Sequence, residues 1–169
     1  MDGIETRRRS TEAVPPGATQ RPILTSAPAG TLRQSLRRTH LQIATRHLAD
    51  VVVAAPAGRI DHQSAGDFEA ALMPLVADAA ARRGALVLDF SAVDYISSVG
   101  LRALMMAAKT LRAQERTLGV AAPQPLVREI FEISRFNMIL DVSPTLRAGL
   151  ERLSAQAVAA FDAATAGGG

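Results

Sequence analysis

Apolar and polar residues alternate at the start of the first regular part of the chain. Leu41 and Ile43 alternate with polar or small residues in the stretch 41–47. This period of two is typical of a half-buried strand. A short turn-like stretch, residues 48–50, comes next, and the apolar run 51–55 follows it. Two strand patterns this close together predict a β-hairpin.

Between residues 64 and 83 the apolar spacing becomes that of a helix. Ser64 is a candidate N-cap, and Gly84 follows the last periodic residue as a helix stop. Pro74 lies inside this segment and is expected to kink the helix. The apolar positions that define the helix are Phe68, Leu72, Leu75, Val76 and Ala79.

A buried strand and a second amphipathic helix are predicted next. Residues 85–90 form a short, mostly apolar run, as in a strand covered on both faces. From Ser98 onward apolar residues recur at helical spacing, which predicts a helix with one buried stripe. Arg102 and Met106 lie on the opposite side, so we expect them to be exposed. The buried stripe contains Leu101, Leu104, Met105, Ala108 and Leu111.

The rest of the chain continues the alternation of strands and helices. We predict a strand at 118–122, a helix at 125–135, a short strand at 138–140 and a last helix at 144–160. The resulting order is ββαβαβαβα. This order predicts an α/β domain in which a small mixed β-sheet of about five strands packs against about four helices.

The two ends of the chain lack these periodic patterns. Residues 1–38 are rich in Pro, Thr, Ser, Gly and Arg, so we predict a disordered basic tail, either a tether or a solvated extension. Residues 161–169 are mostly Ala and Gly and are expected to be flexible. One domain therefore covers residues 40–160.

Charge and composition restrict the function classes. Residues 1–38 hold seven Arg against three acidic residues, a net charge of +4, which leaves −1 of the total +3 for residues 39–169. A nearly neutral domain is a poor binder of the phosphate backbone, so we expect no direct binding of nucleic acid. The chain has no Cys and no apolar run long enough for a membrane span, and we expect a cytoplasmic protein.

The sequence gives no sign of catalysis. His40, His47 and His62 lack the spacing of metal ligands, and neither a Gly-rich phosphate loop nor a nucleophile elbow occurs. Asp89 and Asp94 flank the end of a predicted strand, where short polar residues usually form turns. We therefore predict a binding protein that is not an enzyme, with no catalytic residues, metal site or cofactor.

Two serines at the start of the second helix are the strongest candidates for function. Ser97 and Ser98 follow a strand and a tight connection, and a serine that only caps the helix there is worth about 1 kcal/mol. Free backbone N–H groups and the helix dipole would also tolerate a phosphoryl group on Ser98. Asp61 has a local role available as a turn residue. Alone, neither segment specifies a function.

Taken together, four segments resemble the STAS domains, the anti-sigma-factor antagonists of bacteria. The resemblance covers about residues 40–155, and its most specific part is Ser97-Ser98-Val99-Gly100-Leu101. It implies the STAS fold for this α/β domain. The matching segments are residues 58–62, 86–91, 95–101 and 122–131.

The resemblance also implies a partner-switching cycle. The unmodified antagonist would bind an anti-sigma serine kinase of the GHKL ATPase type and free a sigma factor, and a serine phosphatase would reverse the phosphorylation that ends binding. ATP would be bound by the kinase. The family's acceptor serine lies two residues before the helix-opening glycine, which carries over to Ser98 before Gly100. The family's neighbouring aspartate carries over to Asp61.

This chain departs from the family pattern at one position. Many members have Asp directly before the acceptor serine, where this chain has Ser97, which is an alternative acceptor. The departure keeps a second hypothesis open, in which the domain is a non-phosphorylated STAS regulatory subunit of another complex, such as a transporter ATPase. The predicted partner-binding residues are Arg59, Asp61, Ser97, Ser98, Arg102 and Met106.

Overall fold

A computed structural model of the chain describes residues 41–167, so the predicted N-terminal tail lies outside the described residues. The strands of this part are β1 (Gln42–Leu48), β2 (Val51–Ile60), β3 (Ala85–Asp89), β4 (Val93–Ile96), β5 (Leu118–Ala121) and β6 (Asp141–Ser143). The helices are α1 (Ala65–Ala81), α2 (Ser98–Arg112), α3 (Pro125–Ile133), α4 (Leu146–Leu153) and α5 (Ala155–Ala166), and a 3-10 turn covers Phe136–Met138.

The strands form one mixed sheet. Its order is β1-β2-β3-β5-β6, and β4 pairs with the far end of β2. The predicted β1–β2 hairpin is confirmed as the antiparallel pair, and all other pairs are parallel. The predicted α/β architecture is therefore confirmed, with helices that connect the parallel strands.

Different helices cover the two faces of the sheet. Alternate residues of a strand point to opposite faces, and β2 shows this directly. Val52 and Ala54 belong to the apolar cluster that includes α1, α2 and α3, whereas Val51 and Val53 pack with α4 and α5. The central strands are thus buried on both sides, as expected for parallel pairing.

The first helix ends against the turn of the hairpin. α1 is continuous through Pro74, and beyond its end Arg83 adopts a left-handed backbone conformation with φ +56°. The N–H of Gly84 donates a hydrogen bond to the carbonyl oxygen of Ala79 at 2.9 Å, which completes the stop. Gly84 then lies so close to the backbone of Asp50 that no side chain has room there.

The structure has one strand more than the sequence predicts. β4 forms in the stretch interpreted as a tight connection, and it extends the sheet beside β2. Val93 and Ile96 of this strand are buried, while Asp94 is exposed. A strand of four residues is too short for its periodicity to be recognised.

The predicted strand at 138–140 is wrong. These residues follow or end the 3-10 turn, and strand β6 begins only at Asp141. Met138 is 77% exposed, so its apolar character does not reflect a place in the sheet. The apolar run indicated a strand, but only Leu140 of the three residues is buried.

The predicted single helix at 144–160 is also wrong, because Ser154 interrupts it. Ser154 has an extended backbone, with φ −160° and ψ 119°, and its hydroxyl accepts a hydrogen bond from the N–H of Ala157 at 3.2 Å. It therefore caps a new helix, α5, that continues to Ala166, beyond the end predicted for the domain.

In the described part of the chain, none of the helices is long and apolar enough to cross a membrane.

Candidate functional site

Two parallel strands end side by side and bring the predicted site residues to one edge of the sheet. Ile60 of β2 and Ile96 of β4 are register partners, and the N–H of Ser97 donates a hydrogen bond to the carbonyl oxygen of Ile60 at 2.8 Å. Asp61 and Ser97 are the first residues beyond these paired ends. The loop after β2 and the helix after β4 therefore begin next to each other.

The Asp61 side chain organises the loop that follows β2. Its Oδ1 accepts hydrogen bonds from the N–H groups of Gln63 at 2.9 Å and Ser64 at 3.1 Å. The hydroxyl of Ser64 donates to the carbonyl oxygen of Arg59 at 2.7 Å and does not cap α1, although Ser64 is the N-cap residue as predicted. The backbone N–H groups of Ser64 and Gln63 lower the pKa of the Asp61 carboxyl. The site thus contains a fixed negative charge at neutral pH.

Ser97 and Gly100 attach the start of α2 to the end of β2. The hydroxyl of Ser97 accepts a hydrogen bond from the N–H of Gly100 at 3.3 Å, which makes Ser97 the N-cap. A Cβ on Gly100 would lie 2.7 Å from Cγ2 of Ile60 and 2.8 Å from Cγ1 of Ile96. The helix start can therefore approach the strands this closely only because residue 100 is glycine.

Ser98 is exposed at this helix start. It is the first residue of α2, and its hydroxyl forms no hydrogen bond within the described part of the chain. Arg102 and Met106 follow at intervals of four residues and are exposed as predicted, so they extend the same face of the helix. Val99, 47% exposed, belongs to this face and was not predicted. Val99 lies three residues before Arg102, and this helical spacing could have indicated that both lie on the same exposed face.

Arg59 occupies a different environment from the other predicted residues. Its guanidinium lies over the ring of Tyr95, 4.5 Å from the ring centroid. Successive residues of a strand point to opposite faces, so Arg59 points away from the cluster that buries Ile60. Its backbone carbonyl nevertheless supports the Asp61 loop through Ser64.

The described residues around Ser98 form neither a metal site nor a pair of nucleophile and general base. In the part of the chain that the structure describes, no group of three or more His, Asp or Glu residues could hold a metal ion. The Ser98 hydroxyl makes no hydrogen bond there to a side chain that could act as its general base. It is accessible to another protein and lies at the end of a helix that favours negative charge.

Two substitutions at Asp61 separate its charge from its hydrogen bonds. Asp61→Asn keeps an oxygen that accepts from Gln63 and Ser64, so we expect the urea midpoint of unfolding to fall only slightly at neutral pH. Asp61→Ala removes this acceptor and is expected to lower the midpoint further.

The pH dependence tests the charge itself. The folded pKa of Asp61 lies below its ordinary value of 3.8, so the charge stabilises the fold above that pH, and this contribution is lost as the pH falls through the folded pKa. The difference in urea midpoint between the parent chain and Asp61→Asn should therefore disappear in acid. Equal midpoints for Asp61→Asn and Asp61→Ala at neutral pH would contradict the role of the hydrogen bonds.

Comparisons with known proteins agree with one another. A family model described as Mlab, STAS domain, matches residues 43–141. The chain is 40% identical over 93 residues to a Bordetella bronchiseptica protein named as an anti-sigma factor antagonist, BtrV, and the match covers 55% of this chain and 78% of that protein.

Solved structures give the same result. An anti-sigma factor antagonist from Mycobacterium paratuberculosis is 28% identical, with a TM-score of 0.60, and the match covers 69% of this chain and 96% of that one. A Thermotoga maritima structure described as an anti-sigma factor antagonist is 16% identical and shares the fold, with a TM-score of 0.60 over 66% of this chain and 93% of that one.

Proposed function

Since the chain belongs to the STAS domain family, we propose that it is an anti-sigma factor antagonist that binds an anti-sigma serine kinase and so frees a sigma factor. Phosphorylation of Ser98 by that kinase ends the interaction, and a serine phosphatase restores it. ATP is bound by the kinase. The binding surface, called here the switch face, consists of the predicted residues Asp61, Ser97, Ser98, Arg102 and Met106 together with Val99, and Arg59 lies at its margin.

The observation that carries this proposal is the position of Ser98. Its hydroxyl is exposed and unbonded within the described residues, and it lies at the first position of α2, next to the loop that holds the Asp61 carboxylate. Phosphorylation would add about −1.5 to −2 charges there at pH 7. The helix start tolerates this charge, so the fold would survive while the switch face becomes strongly negative.

Ser98 is a better acceptor than Ser97 for a local reason. The Ser97 hydroxyl is half-buried and already accepts the hydrogen bond of the Gly100 N–H. A phosphoryl group on Ser97 would disturb the cap, whereas one on Ser98 displaces no hydrogen bond among the described residues. Ser and Asp are both strong N-caps, so Ser97 is able to cap α2 at the position where many family members have Asp.

Two apolar side chains of the switch face are available to pack against a partner protein. Val99 and Met106 are each 47% exposed on α2, on either side of Arg102 in the sequence. Met and Arg are enriched at protein interfaces, and Met adapts readily to a partner's surface. Their exposure favours a protein partner over a small ligand.

Intact-mass analysis after incubation with the cognate kinase and ATP tests the proposal. We expect the parent chain and Ser97→Ala to gain one phosphoryl group and Ser98→Ala to gain none. If Ser97→Ala is the only variant that gains no phosphoryl group, the acceptor is Ser97 and not Ser98. If the kinase modifies neither serine, the partner-switching proposal fails and the domain is better explained as a constitutive regulatory subunit.

A further inference from the structure

A basic groove lies at the opposite end of α2 from Ser98. It encloses a cavity of about 140 Å³ between the end of α2, the start of β5 and the segment before β6. Three cationic side chains line it, those of Lys109, Arg112 and Arg116, together with the apolar side chains of Leu118 and Ile139. The basic groove is therefore both positively charged and partly apolar.

The groove continues along the end of the sheet. A second concavity shares Arg112, Ile139 and Asp141 with the first and adds, among others, Met138 and Arg152. Met138 exposes 77% of its surface at this edge, and Ile139 exposes 37%. An apolar side chain this exposed beside a cavity is a candidate contact for another molecule.

The positive charge of the groove is not neutralised by the described residues. Lys109, Arg112 and Arg116 form no ion pair among the described residues, and the single carboxylate of the groove, Asp141, lies 3.2 Å from Arg152. The negative end of the α2 dipole accounts for cations at Lys109 and Arg112. It accounts neither for Arg116, beyond the helix, nor for the exposed apolar side chains.

We propose that the basic groove binds an acidic peptide segment of a partner protein, with an apolar side chain of that segment in the cavity. Unpaired cations complement acidic side chains, and the apolar walls complement an aliphatic one. The concave shape favours a peptide over a membrane, because a flat lipid surface cannot enter the cavity. α2 separates the groove from Ser98 by roughly 20 Å, so the interaction does not depend on the switch face or on phosphorylation.

Nuclear magnetic resonance titration of the full chain tests this proposal with a defined probe. The probe is a short peptide of alternating Glu and Leu residues, and the control peptide alternates Lys and Leu. We expect saturable shifts of the backbone amides of Lys109, Arg112, Arg116 and Ile139 with the Glu-Leu peptide only. Raising the salt concentration should weaken the binding.

A charge-reversal pair shows whether the groove residues carry the affinity. Arg112→Glu with Arg116→Glu is expected to weaken binding about tenfold or more. Arg83→Glu with Arg128→Glu changes the net charge equally at exposed positions elsewhere and should leave the affinity unchanged. Circular dichroism of both double variants confirms that they are folded.

Other outcomes would overturn the proposal. These are absence of saturable shifts, shifts centred on residues 98–102, equal binding of the Lys-Leu peptide, or equal weakening by the two double variants. Binding to phosphatidylglycerol vesicles without binding to the Glu-Leu peptide would assign the groove to a membrane instead. None of these results bears on phosphorylation of Ser98, so the two proposals stand or fall separately.

Discussion

Gly84→Ala is expected to lower the free energy of unfolding by about 3 kcal/mol or more. A Cβ at this position would lie 1.6 Å from the carbonyl oxygen of Asp50 and 2.8 Å from its carbonyl carbon. These are backbone atoms of the hairpin turn, so rotation of a side chain cannot relieve the clash. The turn must separate from the end of α1, which disturbs the packing of both. Urea unfolding followed by circular dichroism measures the effect.

Gly66→Ala is the matched control, because it adds the same methyl group where there is space. No atom outside the local backbone lies within 4 Å of a Cβ at Gly66, which is in the first turn of α1. Alanine is the better helix former, so we expect a gain of up to about 1 kcal/mol. Similar effects at Gly66 and Gly84 would contradict the close approach of Gly84 to Asp50.

Ser98→Asp is expected to weaken binding to the cognate kinase at least thirtyfold, about 2 kcal/mol. The new carboxylate adds negative charge beside the Asp61 loop and within the switch face, and burying it against a partner costs solvation. An acidic residue at a helix start is favourable, so the variant should keep the stability of the parent chain. Isothermal titration with the purified kinase measures the loss.

Ser134→Asp makes the same chemical change on another element. Ser134 is exposed at the C-terminal end of α3, and we expect kinase affinity close to that of the parent chain. Equal loss in both variants would indicate a general effect of charge. Unchanged affinity of a folded Ser98→Asp variant would contradict the proposed switch face.

Local patterns predicted what depends on local interactions. The spacing of apolar residues predicted α2 and the exposure of Arg102 and Met106, because burial of one stripe determines which face of a helix meets solvent. The hairpin was also predicted from a local pattern, because two strand patterns separated by a short turn indicate that the strands pair. Val99 was not predicted because a single apolar residue on the exposed face leaves the periodicity of the buried stripe unchanged.

Long-range pairing and close backbone contacts could not be predicted in this way. Strand β4 forms because the end of β2 extends far enough to pair with it, and no local pattern reports that length. The break at Ser154 involves a hydrogen bond from its hydroxyl to Oδ1 of Asp50, 104 positions earlier. The basic groove combines side chains from α2, β5 and the segment before β6, so periodicity cannot reveal it.

The contact of Gly100 with Ile60 has a consequence for the timing of the proposed switch. Gly100 holds the helix start in close contact with Ile60 and Ile96, so we expect modification of Ser98 to alter the charge of the switch face much more than its shape. No slow conformational relaxation would then separate modification from release. The lifetime of each state would be set by how fast the kinase and phosphatase act, and the domain itself would add no delay.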